Sequence, residues 1–176
     1  MSDGDSKFVK LLKDQVRNEF TASQQYIAIA VYFDGKDLPQ LAKRFYEQAL
    51  EERGHALMMI QYLLDQDEEI EIPAIDAVVN GFGSVREPVK LALDQERTVT
   101  EQIITLARTA RDIGDYIGEQ FMQWFLAEQV EEVSSMTTLL AIVDRAEDNL
   151  FDIEDFVARE FKSEKVAAVA PRAAGS

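Results

Sequence analysis

The stretch FYEQALEERGHALMMIQY, residues 45–62, decides how this chain folds. Its apolar residues recur at alternating spacings of three and four, which is typical of a helix packed in a bundle. The seam carries polar groups at its middle, and its members are Leu38, Leu41, Phe45, Gln48, Glu52, His55, Met59 and Tyr62. A carboxylate and an imidazole, Glu52 and His55, therefore share one helix face where the core is expected.

Three other segments repeat this pattern of an apolar seam interrupted by polar groups. The first seam is Phe8, Leu12, Gln15, Glu19, Ala22, Tyr26, Ile29 and Phe33. The third is Val89, Leu93, Glu96, Val99, Ile103, Leu106 and Ala110. The fourth is Phe121, Phe125, Glu128 or Gln129, Glu132, Met136, Leu139 and Val143. The pattern predicts four long helices that lie side by side, since about 28 residues form a rod of about 42 Å.

Turn and capping residues divide the chain into these helices. The predicted helices are residues 7–34, about 39–64, about 88–113 and about 116–145, with a short fifth helix at about 150–161. Their predicted N-caps are Asp5 or Ser6, a capping box at residues 37–40, Asp115 and Asn149. Residues 66–88 have no sustained helical period. When extended they are longer than the bundle, so they can cross it and leave the second and third helices parallel.

The turns bring the polar groups of the four seams to one level. In an antiparallel hairpin, residues that are equidistant from the turn face each other. The midpoint of Glu19 and Glu52 falls in the first turn, and the midpoint of Glu96 and Glu132 is Gly114. Both pairs are therefore expected to lie level across their hairpins.

Carboxylates buried at this level need a compensating positive charge, because a lone carboxylate in a core is costly. The seams contain no Lys or Arg, and the chain has one His. A bound cation is the simplest compensation, and its candidate ligands are Glu19, Glu52, His55, Glu96, and Gln129 or Glu132. A Glu-x-x-His motif among such carboxylates is the arrangement of di-iron bundles. Mixed oxygen and imidazole ligands suit iron or manganese better than zinc.

On these residues the chain resembles the bacterial non-haem ferritins, and the resemblance covers residues 7–161. Its motifs are Asn18-Glu19-Phe20, Tyr26, Glu51-Glu52-x-x-His55, Gln95-Glu96, Trp124 and Glu128-Gln129-x-Glu131-Glu132. The resemblance implies an all-α, ferritin-like four-helix bundle with a long crossover between helices two and three and a short fifth C-terminal helix. We expect this domain at residues 1–161, followed by a flexible C-terminal tail at residues 162–176.

The resemblance also implies a ferroxidase that oxidises Fe(II) with dioxygen or peroxide and stores Fe(III) as mineral in a homo-oligomeric cage of about 24 subunits. One iron would be held by Glu19, Glu52 and His55, and a second by Glu52 as a bridge, Glu96, and Gln129 or Glu132. A third, looser iron site would map to Glu51, Glu128, Glu131 and Glu132. Tyr26, on the seam of Glu19, is either a hydrogen-bond partner or electron donor near the irons or a plain core tyrosine.

Other classes of protein share a helical bundle. A non-storage di-iron enzyme, such as a rubrerythrin-like peroxide reductase, usually carries a cysteine-ligated module, and this chain has no Cys. A metal-free structural bundle would not need charges on all four seams. Haem-binding bacterioferritins resemble the chain, but they carry Met after the bridging Glu and a second Glu-x-x-His on the fourth helix. Here residue 53 is Arg, and residues 128–131 read EQVE, so we expect no haem.

Composition narrows the function further. The formal net charge of −15 argues against nucleic acid as a ligand, since phosphates would be repelled, and it is compatible with the attraction of cations. No apolar run approaches the ~20 residues of a membrane span. The first residues, MSDGDSKFVK, have no basic region followed by an apolar one, as a secretory signal would. We therefore expect a soluble, cytoplasmic protein without nucleic-acid or membrane partners.

Overall fold

The computed structural model describes residues 6–147, 149–161 and 169–176 of the chain. These residues form no strand and five helices, which are α1 (Lys7–Asp34), α2 (Pro39–Asp65), α3 (Arg86–Asp112), α4 (Tyr116–Arg145) and α5 (Leu150–Glu160). The first four helices pack side by side, α1 against α2 and α3 against α4. The all-α bundle predicted from the four seams, with its short fifth helix, is confirmed. Within the described ranges, no helix is long and apolar enough to cross a membrane.

The segment between α2 and α3, residues 66–85, crosses the bundle along α1. The side chain of Gln25 pairs with the backbone of Val79, accepting from its N–H and donating to its carbonyl, both at 2.8 Å. Nearer the N-terminus of α1, the backbone N–H of Asp76 donates to Thr21 at 3.1 Å. The crossover therefore returns the chain to the other end of the bundle, and α3 runs parallel to α2 as predicted.

A layer of buried polar side chains divides the core into two apolar clusters. One cluster lies toward the α1–α2 turn and includes Tyr26 and Phe33. The other lies toward the α3–α4 turn and includes Phe8 and Met122. At that end Gly118 allows α4 to approach α1 closely, because a Cβ on this residue would meet Phe8 Cε1 at 2.7 Å. Burial of the two clusters holds the four helices together on either side of the polar layer.

The ends of α1, α3 and α4 follow the sequence closely. Ser6 accepts from the N–H of Val9 at 3.1 Å, and Asp115 accepts from the N–H of Gly118 at 2.8 Å, so these two predicted N-caps are confirmed. Asp5, the alternative cap of α1, lies outside the described residues. Gly114, between α3 and α4, has a φ of +77°, a left-handed conformation that glycine adopts without steric cost. The second hairpin therefore turns at the residue that the midpoint argument requires.

The predicted capping box at residues 37–40 is wrong. Asp37, the first residue of the box, lies within the turn with a φ of +57°, so the Asp37 carboxylate is not at the N-cap position. Instead Glu154 of α5 accepts from the backbone N–H groups of Gln40 at 2.8 Å and of Leu41 at 2.9 Å. Asn149 precedes α5 as predicted, but its side chain donates to a carboxylate of α5 and makes no capping hydrogen bond. A carboxylate from α5 thus caps α2.

The last residues of the chain, 169–176, contact α2. The backbone N–H of Ala174 donates to the carbonyl of Leu57 at 3.0 Å, and Arg172 lies 3.6 Å from Asp65. Residues 162–168 lie outside the described part of the chain. The division into a domain ending at residue 161 and a flexible tail stays a prediction.

Candidate metal centre

The polar layer collects side chains from all four long helices. Six of the residues singled out from the seams lie in it, each with at most 4% of its surface exposed: Glu19, Glu52, His55, Glu96, Gln129 and Glu132. They come together because each seam faces the bundle axis. The positions of the two turns place the middles of all four seams at one height. The layer is therefore built from local helical periodicity and from the positions of the turns.

Glu19, Glu52 and His55 form the tightest group in the layer. Each offers one ligand atom, and these atoms lie within 4.8 Å of one another. The Nδ1 atom of His55 is 3.1 Å from Glu52 Oε2 and 3.8 Å from Glu19 Oε2. Glu19 Oε2 is buried and has no hydrogen-bond partner among the described residues. A buried carboxylate oxygen without a donor is costly in a core and fits a position that a cation occupies.

Glu96 lies on the other side of the layer, where two side chains hold it. The hydroxyl of Tyr26 donates to Glu96 Oε1. The amide nitrogen of Gln129 donates to Glu96 Oε2 and to the Glu96 backbone carbonyl, both at 3.2 Å. Glu96 is thus oriented by α1 and α4, and the structure brings Tyr26 into direct contact with a candidate ligand.

The charges in the layer perturb one another strongly. Burial raises the pKa of Glu52 to about 7, although His55 opposes the shift, and burial with the charge of Glu52 raises the pKa of Glu96 to about 7. Burial alone would lower the pKa of His55, but Glu52 and Glu19 outweigh it and raise that pKa well above 6.5. Burial and Glu96 hold the pKa of Tyr26 well above 10.0. The layer therefore holds protons that a bound cation would replace.

A second group of carboxylates lies beside the first, between α2 and α4. Glu51, Glu128 and Glu132 each offer an oxygen, and these oxygens lie within 4.8 Å of one another. Glu51 and Glu128 are half-buried, whereas Glu132 is buried. Glu131, which the family resemblance adds to the third site, is exposed and lies outside this group.

Two amides in the layer received no role from the sequence. Gln15 donates to Glu19 Oε1 at 2.8 Å, and Gln48 donates to Glu52 Oε1 at 3.1 Å and to Glu132 Oε2 at 2.8 Å. Both lie on the predicted seams, four residues before a carboxylate. That spacing places side chains on the same helix face and is the signal that could have identified them.

The sequence and the fold match known proteins over most of the chain. A family model described as a ferritin-like domain matches residues 9–146. The chain belongs to the ferritin family. A protein named Ferritin BfrB from Mycolicibacterium smegmatis is 68% identical over 171 residues, which are 97% of this chain and 94% of that protein. A bacterial non-heme ferritin from Staphylococcus aureus is 36% identical over 141 residues, which are 80% of this chain and 85% of that protein.

A solved structure of an open pore ferritin from Archaeoglobus fulgidus superimposes on this ferritin with a TM-score of 0.84. It covers 89% of this chain and 96% of its own, at 24% sequence identity, so this likeness concerns the fold alone. The family match includes the whole polar layer, from Glu19 to Glu132. Ferritins bind iron, and the buried Glu and His side chains of this ferritin are a donor set that suits it.

Proposed function

We propose that this ferritin binds two Fe(II) ions in the polar layer, oxidises them with dioxygen or peroxide, and stores the Fe(III) as a mineral. The observation that carries the proposal is the buried group of Glu19, Glu52 and His55, with its ligand atoms within 4.8 Å of one another. Carboxylate oxygens and one imidazole suit iron. The buried oxygen of Glu19 that lacks a donor supports a cation at this place.

Glu52 is the side chain best placed to serve both ions. Its Oε2 lies beside His55, and its charge acts on Glu96 across the layer. We assign the first ion to Glu19, Glu52 and His55, and the second to Glu52, Glu96 and Gln129 or Glu132. Each ion gives one electron to dioxygen, which takes up two protons and leaves as hydrogen peroxide. When hydrogen peroxide is the oxidant, two electrons and two protons convert it into two water molecules.

Iron is both the metal that binds and the substrate, so the site must release its product. Carboxylates stabilise Fe(III) by charge and so favour oxidation. Gln129 is a neutral ligand and binds more weakly than a carboxylate would, which suits turnover. Tyr26 orients Glu96 through its hydroxyl, and because its pKa is raised by burial, it keeps its proton at neutral pH.

The second group of carboxylates is proposed as a third iron site. Glu51, Glu128 and Glu132 support it by their mutual distances, and Glu132 is common to this group and to the polar layer. The site is less buried than the pair, so its iron should exchange more readily. Glu131, the fourth residue that the resemblance gives to this site, is exposed, and its part in holding the third iron stays a prediction.

We propose that the protein acts in the cytoplasm as a closed homo-oligomer of about 24 copies. Exposed apolar side chains support an assembly, since a soluble monomer gains nothing from presenting them to water. They lie on α1, on the crossover and on α5, and they include Val31, Ile72 and Phe151, with exposed fractions of 55%, 66% and 84%. Gel filtration should therefore give a particle of many times the 19.9 kDa chain mass.

Haem is not part of the proposal. The one His of the chain lies among the carboxylates of the polar layer, and the residue after Glu52 is Arg53. Purified protein supplied with haem is expected to give no stoichiometric Soret band. One haem per two chains, lost when Met58 or Met59 is replaced, would contradict this expectation.

Aerobic addition of Fe(II) to the iron-free protein distinguishes the proposed function from the alternatives. A storage ferritin should retain far more iron per chain than its polar groups can ligate. A rubrerythrin-like di-iron enzyme should retain about two ions per chain, and a structural bundle none. The retained amount is measured as the iron that co-elutes with the protein in gel filtration. Retention of two ions or fewer per chain would contradict storage.

A further inference from the structure

The amide of Gln48 joins the two groups of carboxylates. It is fully buried, and its Nε2 donates to Glu52 Oε1 at 3.1 Å and to Glu132 Oε2 at 2.8 Å. Glu52 belongs to the group with Glu19 and His55, whereas Glu132, a candidate ligand of the pair, also belongs to the group with Glu51 and Glu128. Since an amide nitrogen carries two hydrogens, one side chain serves one carboxylate of each group.

The other atom of this amide indicates why a glutamine stands here. Gln48 Oε1 is buried without a hydrogen-bond partner among the described residues. An unsatisfied buried oxygen destabilises a fold, and an aliphatic side chain would avoid that cost. The side chain is therefore best explained by the two hydrogens that it places between Glu52 and Glu132.

We propose that Gln48 is a positioning residue that holds the bridging carboxylate and a third-site carboxylate together, and so links metal binding at the pair to metal binding at the third site. Without its two hydrogen bonds, Glu52 and Glu132 would lose the donor that they share, and the repulsion between two acidic groups would favour moving them apart. The proposal rests on the proposed function, since it concerns the proposed iron pair and the proposed third iron site.

Gln15 is a matched control within the same chain. It too is a buried amide four residues before a carboxylate of the first group, and it donates to Glu19 at 2.8 Å. Its oxygen accepts from Asn18 at 3.1 Å, so both ends of this amide are used on α1. Loss of Gln15 should therefore affect the pair and leave the third site as it is.

The test is an anaerobic titration of the full-length, iron-free protein with Co(II), followed by calorimetry and by visible absorption. The binding step that disappears in Glu128→Ala identifies the third site. Gln48→Leu is expected to lower the affinities of the pair and of the third site together, each by about tenfold or more. Gln15→Leu should lower the affinity of the pair alone.

Gel filtration and circular dichroism establish that each variant folds and assembles. If Gln48→Leu does not fold and assemble, it is replaced by Gln48→Met, which introduces an unbranched side chain of similar length. An unchanged third-site affinity in a folded Gln48 variant overturns the proposal, and so does a wild-type protein with only two Co(II) sites per chain. Neither result would contradict the proposed ferroxidase pair. Fewer than two sites in the wild type would instead contradict the proposed function itself.

Discussion

Glu52 lies where the polar groups of α1, α2 and α3 meet. Its Oε2 is 3.1 Å from His55, its Oε1 accepts from Gln48, and its charge raises the pKa of Glu96. Glu52→Ala is therefore expected to abolish the fast phase of Fe(II) oxidation. His55→Ala should damage mainly one half of the centre and leave a slower phase. Stopped-flow absorbance at two Fe(II) per chain measures both effects.

The control for this experiment is Glu101→Ala, which removes an exposed carboxylate of α3 and should oxidise Fe(II) as the wild type does. Equal fast-phase rates in Glu52→Ala and the wild type would refute the assignment of the bridge. The iron-free Glu52→Ala protein should stay folded or gain stability, because the variant removes one of several carboxylates that repel one another in the core.

The raised pKa values predict that metal binding is coupled to proton release. Glu52 and Glu96 titrate near pH 7 instead of 4.5, so both hold protons at pH 6 and are ionised at pH 8. Co(II) should therefore release more protons per chain at pH 6 than at pH 8. Calorimetry in buffers of different ionisation enthalpy measures the release, and equal values would contradict the shifts. The raised pKa values of Glu52 and Glu96 also contribute to the stability of the iron-free fold. This contribution is fully present below pH 4.5 and is lost as the pH rises through about 7.

Two nearby carboxylates of α4 are expected to differ in their importance for the third site. Glu128 belongs to the group with Glu51 and Glu132, whereas Glu131 is exposed. Glu128→Ala should leave rapid oxidation of the first two irons intact and alter the iron-to-oxygen stoichiometry and the later transfer to mineral. Glu131→Ala should have the smaller effect. Stopped-flow absorbance with an oxygen electrode compares the two variants. If a protein that carries both substitutions keeps the wild-type stoichiometry and mineralisation, these carboxylates are only solvated surface groups.

At the scale of the elements, the helices could be predicted because their signals are local. Periodicity defines the seams and turn residues define the hairpins, so the sequence alone places Glu19 level with Glu52. The sequence predicts the start of α3 near Pro88, about two residues late, whereas the helix begins at Arg86. Proline is tolerated in the first turn of a helix because it needs no N–H there, so it marks the first turn rather than the first residue.

Contacts between distant segments could not be predicted in this way. Glu154 caps α2 across more than one hundred residues, and the bond from Gln48 to Glu132 joins α2 to α4. Each depends on how a long side chain is oriented after the helices have packed, and no local pattern encodes that orientation. The same holds for the contact of Ala174 with Leu57.

The cap on α2 gives a prediction at this scale. Glu154 accepts from two backbone N–H groups at the positive end of the helix, so Glu154→Ala should destabilise the protein by about 1 kcal/mol. The midpoint of thermal unfolding of the iron-free protein measures the loss. Asp155→Ala, which removes the exposed neighbouring carboxylate, is the control. Equal midpoints for the two variants would contradict the capping role.

At the scale of the whole molecule, the crossover makes the polar layer possible. It lets α2 and α3 run parallel, so the two hairpins have their turns at opposite ends of the bundle. The polar groups at the middle of each hairpin then lie at the same height. Gln25 fixes the crossover to α1 through its two hydrogen bonds with Val79. The formal net charge of −15 attracts cations to the surface, while the only His stays buried at the centre.

The most direct test of the di-iron centre is anomalous diffraction at the iron edge from crystals soaked anaerobically with Fe(II). We predict two peaks in the polar layer, one among Glu19, Glu52 and His55 and one between Glu52 and Glu96, and both should be lost in Glu52→Ala. Iron peaks confined to surface carboxylates, or two core peaks that persist in Glu52→Ala, would contradict the account.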